Sequence, residues 1–155
     1  MINTFCQKIM VATDGSESVK KTVDSAIEIA KLSEAKLYAV YVIALGGYSR
    51  TPYIDAEWEK SMKEQLITES KEATAYVENA GRVANVEVES VILEGNPAGE
   101  IIDFAEKNDI DLIVMGTHGK SAIQRFLIGS VAENVVRHSK KTVLVVRGET
   151  VEKGE

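Results

Sequence analysis

The apolar positions of this chain keep two rhythms in turn. Short, nearly unbroken apolar runs occupy residues 8–13, 36–43, 111–115 and 142–146. Residues 86–93 alternate apolar and polar at first and end apolar. Runs of this length read as strands. Strands apolar on both faces suit a parallel sheet covered by helices on either side, and the alternating run reads as a strand near an edge. Between the runs the spacing turns helical. Val19, Val23, Ala26, Ile27, Ile29 and Ala30 mark a helix over residues 17–32. Trp58, Met62, Leu66, Ala73, Tyr76 and Val77 form the stripe of a long helix over residues 56–80. Ile101, Ile102 and Ala105 belong to a helix ending near Asn108, and Val131, Val135 and Val136 to the last one.

Punctuation agrees with this rhythm. Asn96 as N-cap and Pro97 at the first helical position start the third helix cleanly. Gly81 is expected to close the long helix as a C-cap glycine. Residues 44–55 hold Gly46-Gly47, Pro52, Tyr48 and Tyr53 and read as a loop to which no site is assigned. Residues 148–155 read as a polar, disordered tail. Strand and helix alternate throughout, with no internal repeat. This predicts one α/β domain with three layers around a doubly wound, five-stranded parallel sheet. The usual order for that wiring is 3-2-1-4-5, with right-handed crossovers. Strands 1 and 4 then lie side by side at the topological switch point, where ligands bind outside the carboxyl ends of the strands. Those ends are Thr13-Asp14 and Met115-Gly116.

The residues at that point carry candidate chemistry. Gly116, Gly119 and Gly129-Ser130 form the pattern Gly-x2-Gly-x9-Gly-Ser between a strand and a helix. A backbone approaches a phosphate closely only where no Cβ intervenes. A helix opening at Ser130 points unpaired N–H groups and its positive dipole end back at the loop, which favours an anion. Gly119-Lys120-Ser121 is not the end of a P-loop, since the first glycine would fall at Val114, and no strand is followed by G-x-G-x-x-G. Ser130-Val-Ala-Glu133 also fits a capping box, so Ser130 has a purely structural reading as well. Asp14, with Glu17 three residues on, likewise fits an N-cap.

The glycine spacing, together with Ala12-Thr13-Asp14-Gly15-Ser16 at the first strand end, resembles the nucleotide-binding branch of the universal stress protein family over roughly residues 6–147. The resemblance implies a Rossmann-like, adenine nucleotide alpha hydrolase-like fold over residues 1–147 and bound ATP, ADP or AMP. It implies nucleotide contacts from Ala12, Thr13, Asp14, Val42, Met115, Gly116, His118, Gly119, Gly129, Ser130, Val131 and Ala132. Asp14 would hydrogen-bond the ribose or base, or hold Mg²⁺ or Mn²⁺ carried with the nucleotide, and Val42 would meet adenine through its backbone. The resemblance also implies a homodimer through the last strand. The uniformly apolar run 142–146 agrees, because an exposed edge of that kind invites pairing with another chain.

Composition narrows the function. Net charge is −6, which argues against general nucleic-acid binding. The charge is uneven: from Gly116 to Arg147, six bases (Lys120, Arg125, Arg137, Lys140, Lys141 and Arg147) accompany one acid, Glu133. A basic segment on an acidic protein suits a phosphate ligand, although Arg137, Lys140 and Lys141 also complement a helix C-terminus, as does His138. No apolar run approaches ~18 residues, so no membrane span is expected. The start of the chain does not read as a signal peptide. With a single cysteine, Cys6, the expected compartment is the cytoplasm. Three functions compete. The first is a dimeric adenine-nucleotide-binding regulatory module of the stress response, read by an unknown protein partner. The second is a slow ATPase or nucleotide-transfer enzyme, with Asp14 on the metal and His118 and Lys120 in the loop. The third is a nucleotide-free chaperone or assembly protein, against which the intact glycines argue.

Overall fold

The computed structural model describes residues 5–44, 56–117 and 128–147. Five strands, β1 (Lys8–Ala12), β2 (Lys36–Ile43), β3 (Val88–Glu94), β4 (Leu112–Gly116) and β5 (Thr142–Val146), form one parallel sheet in the order β3-β2-β1-β4-β5. This is the expected doubly wound order. Four α-helices connect the strands: α1 (Lys20–Ser33), α2 (Ala56–Val83), α3 (Pro97–Lys107) and α4 (Ser130–His138). The loop beyond Ala44 and the tail 148–155 lie outside the described residues.

Each strand feeds two cores because its side chains alternate between faces. Ile9 and Val11 of β1 join Val23, Ala26, Leu37, Val77 and Val114 under α1 and α2. Met10, between them, joins Tyr38, Val40, Ile101, Ala105, Ile113 and Val135 under α3 and α4. Ile9, Met10, Leu37 and Ile113 are fully buried. Each such side chain contributes about 1.5–3 kcal/mol of apolar burial.

Four details depart from the sequence reading. The first helix does not begin as an α-helix at Glu17: a 3-10 turn spans Glu17–Val19, and α1 starts at Lys20. Gly81 does not end the long helix, because α2 continues to Val83. Gly81 is buried where α2 meets β3, the Val86 N–H donates to its carbonyl at 2.8 Å, and a Cβ there would collide with the Val88 side chain. The glycine serves close packing, and Asn85, at φ 58, makes the turn instead. Val136 is 48% exposed, so Val131, Ala132 and Val135 carry the packing of α4. Trp58 and Tyr76 are similarly half out of the α2 stripe. Asp111 precedes β4 rather than belonging to it. Its Oδ2 accepts the N–H groups of Gln7 and Lys8, tying the start of β4 to that of β1.

Candidate functional site

The carboxyl end of β1 leads into a turn held by its own side chains. Thr13 is buried, its N–H donating to the Val40 carbonyl at 2.9 Å. The Thr13 hydroxyl accepts the Gly15 N–H at 3.2 Å. Asp14 Oδ1 accepts both the N–H (2.9 Å) and the hydroxyl (2.6 Å) of Ser16. Asp14 is therefore not the helix N-cap expected from Glu17. Ser16 occupies that place without a side-chain cap bond, and Asp14 closes an Asx turn two residues long. Gly15 sits at φ +75, and a Cβ on it would lie 3.2 Å from the Cβ of Ala73 on α2. A side chain there would be strained both by the backbone angle and by this neighbour.

The carboxyl end of β4 is next to that turn. Register pairs Ile9 with Leu112 and Val11 with Val114, and its continuation opposes Thr13 to Gly116. Beyond Gly116 the Thr117 N–H donates to the Val146 carbonyl of β5, and the Thr117 carbonyl accepts the Gly129 N–H at 2.6 Å. Residues twelve apart along the chain, on either side of the glycine loop, are thus pinned together, and α4 begins beside the end of β4. Gly129 is the N-cap of α4, at φ −64 and ψ 158, with no side-chain cap bond. The capping box expected from Ser130 and Glu133 is not formed. Ser130 is the first helical residue, and Glu133 reaches forward to Arg137 at 3.0 Å. The first helical hydrogen bond runs from the Glu133 N–H to the Gly129 carbonyl. The N–H groups of Ser130, Val131 and Ala132 lie ahead of it, where a helix leaves donors to be satisfied from outside.

Of the residues read as ligand contacts, the fold brings together Ala12, Thr13, Asp14, Val42, Met115, Gly116, Gly129, Ser130, Val131 and Ala132 at one end of the sheet. His118 and Gly119, with Lys120, lie outside the described residues. The side chains of Ala12, Val42, Met115, Val131 and Ala132 pack into the single apolar cluster under α3 and α4. Met115 and Ala132 are each only 3% exposed. These five can meet a ligand chiefly through their backbone. Among the described residues, no group of three or more His, Cys, Asp or Glu side chains is arranged to hold a metal ion.

On the other side of the Asp14 turn a cleft of about 350 Å³ opens between α1 and α2. Thr13, Asp14, Ser16, Lys20, Glu72 and Tyr76 are among its walls, and Lys20 lies 5.6 Å over the Tyr76 ring. Of the residues expected at the site, it reaches only Thr13 and Asp14. Sequence reasoning gave Ser16 no role of its own, although Asp-Gly-Ser after a strand is the signature of an Asx turn. Cys6 is buried, and that burial is the main cause raising its thiol pKa above the ordinary value, with the Ser33 hydrogen bond pulling the other way. A thiol kept protonated in this way does not suit a redox sensor.

A doubly wound parallel sheet with a helix beginning at its switch point defines an α/β protein of the class whose ligands sit outside the carboxyl ends of the strands. The chain belongs to the universal stress protein family, whose model matches residues 6–147. It is 41% identical over 141 residues to universal stress protein MJ0531 of Methanocaldococcus jannaschii, covering 91% of this chain and 82% of that protein. Among solved structures it is similar to the hypothetical protein MJ0577 at 29% identity and a TM-score of 0.82, covering 95% and 99% of the two chains. It is also similar to the universal stress protein from Archaeoglobus fulgidus solved in complex with dAMP, at 29% identity and a TM-score of 0.65, covering 92% and 98%. No helix among the described residues is long and apolar enough to cross a membrane.

Proposed function

We propose that this protein binds an adenine nucleotide, ATP foremost, in the crevice at the carboxyl ends of β1 and β4, and acts as a regulatory module in the cytoplasm. One observation carries the reading: α4 begins beside Gly116 with glycine at its N-cap and, among the described residues, no capping side chain. Phosphate oxygens there would accept the N–H groups of Ser130, Val131 and Ala132. A hydrogen bond to a charged group is worth about 1.5–3 kcal/mol, so a few suffice to hold a phosphate. Asp14 and the backbone of Val42 would take the nucleoside. The dAMP complex of the Archaeoglobus fulgidus relative supports the adenine assignment. Asp14 has one carboxylate oxygen engaged by Ser16 and, among the described residues, one left over. With a Mg²⁺-bound nucleotide that oxygen would serve the ion in place of the nucleoside, the ion's other ligands being phosphate oxygens and water.

The test is to denature the purified protein, identify any released nucleotide by mass, and titrate ATP, AMP and GTP against thermal unfolding. ATP at ~100 times its dissociation constant stabilises by roughly 2.7 kcal/mol, a shift of several degrees at this chain length. An adenine-specific shift is expected. No nucleotide and no shift would bring the nucleotide-free chaperone reading forward. Assay of released phosphate on the same sample decides whether slow hydrolysis accompanies binding.

We further propose a twofold homodimer through β5. The two sheet edges differ. β3 exposes Ile92 but flanks it with exposed Glu89 and Glu94, whereas β5 exposes Thr142 and Leu144 with no charge before Arg147. An uncharged apolar edge invites strand pairing. Gel filtration at micromolar concentration is expected to give a dimer, and a monomer there ends the proposal.

A further inference from the structure

We infer that Ser16 is a positioning residue for Asp14, holding its carboxylate in one orientation so that Oδ2 remains as the acceptor for the nucleoside part of the ligand. The inference rests on the adenine-nucleotide reading of the crevice. Two donors from one residue, the Ser16 N–H at 2.9 Å and its hydroxyl at 2.6 Å, converge on Asp14 Oδ1. The hydroxyl contact falls in the short range of O–H···O⁻ bonds, which are roughly twice as strong as neutral ones. The Ser16 hydroxyl has one proton and gives it to Asp14. In its 3.1 Å contact with the Ser18 hydroxyl, Ser16 is therefore the acceptor and Ser18 the donor. The result is a chain of hydrogen bonds from Ser18 through Ser16 to the carboxylate, each polarising the next.

The turn itself has little room to shift. Gly15 is pressed toward Ala73 of α2, and its N–H is taken by the Thr13 hydroxyl. Among the described residues, no hydrogen bond engages Asp14 Oδ2. An acceptor-only oxygen held in place selects a ligand donor, a ribose hydroxyl or an amino N–H, and repels phosphate. Ser16 is thereby assigned to recognition of the nucleoside, while the opening of α4 takes the phosphates.

The test compares wild type, Ser16→Ala and Ser16→Thr by calorimetry with AMP, adenosine and inorganic tripolyphosphate, and repeats Ser16→Ala in an Asp14→Ala background. Loss of a charge-assisted bond predicts about tenfold weaker AMP and adenosine binding in Ser16→Ala. Ser16→Thr keeps the hydroxyl and restores affinity to within about threefold. Tripolyphosphate binding stays unchanged, which a general loss of structure would not allow. In the Asp14→Ala background, Ser16→Ala adds less than about a twofold effect, because residues acting through one contact are not additive. Unchanged affinity in Ser16→Ala, failure of threonine to rescue, or an equal loss in both backgrounds overturns the inference. Should wild type bind no adenine nucleotide, the proposed function falls, and the ligand-free protein decides the role of Ser16. Three-bond couplings of the Asp14 side chain are then expected to report one rotamer in wild type and averaging in Ser16→Ala. A single rotamer in both overturns it.

Discussion

Two helices begin at the same end of the sheet and begin differently. The first turn of α3 is closed by its own sequence: the Asn96 side chain accepts the Gly99 N–H at 3.0 Å, and Pro97 removes a donor that would otherwise go unmet. At α4 neither device is present. Gly129 offers no side chain, and the one acid of the first turn, Glu133, is paired with Arg137. Its φ of −64 is open to any residue, so backbone conformation does not demand the glycine there. What the glycine leaves out is a capping side chain. One start is closed by its own side chain, and the other is the place where the proposed nucleotide would put its phosphates.

Changes at these two starts separate holding from binding. The largest expected effect is from Gly129→Asp. Aspartate is favoured at an N-cap and at the positive end of the dipole, so the unfolding midpoint stays level or rises. Its carboxylate would occupy the donors proposed for phosphate and repel it, and ATP affinity is expected to fall at least about a hundredfold, two charged hydrogen bonds' worth. Calorimetry and a melting curve on one preparation check both halves, and unchanged affinity would remove phosphate from α4. Asn96→Ala should do the converse. Loss of that cap costs about 1 kcal/mol, a fall of roughly 2–4 °C for a chain of this size, with ATP affinity unaltered. Smallest is Ser130→Ala. Since Ser130 makes no cap bond, stability should move by less than about 0.5 kcal/mol, as denaturant unfolding would measure. A drop of about 1 kcal/mol would show that the capping box forms after all.

Much of the architecture is legible in the chain. The strand at Lys36–Ile43 has the bounds its apolar run predicts, and Asn96-Pro97 starts α3 where expected. Element order alone leads to the observed sheet and so to the neighbourhood of Asp14 and Gly116. The candidate site is legible as a set of positions but not as a set of bonds. Ser130-Val-Ala-Glu133 reads equally as a cap or as a site, and only the turning of Glu133 toward Arg137 separates the two. Ser16 was read as part of the motif but given no role, because what it does is a pair of hydrogen bonds rather than a spacing.

The sequence by itself determined where the chain is strand and where helix, because hydrophobic period and turn chemistry act within a few residues. It determined the parallel sheet for the same reason, since both faces of its inner strands are apolar. Tertiary structure alone decided what each special residue is for. Gly81 reads locally as a helix end, yet it lets α2 lie against Val88 of β3 and stays within the helix. Gly129 reads as a turn, yet its N–H reaches the Thr117 carbonyl and sets the start of α4 beside β4. Gly15 faces Ala73, fifty-eight positions away on α2. Such contacts depend on which strands and helices become neighbours, and that is a property of the whole sheet.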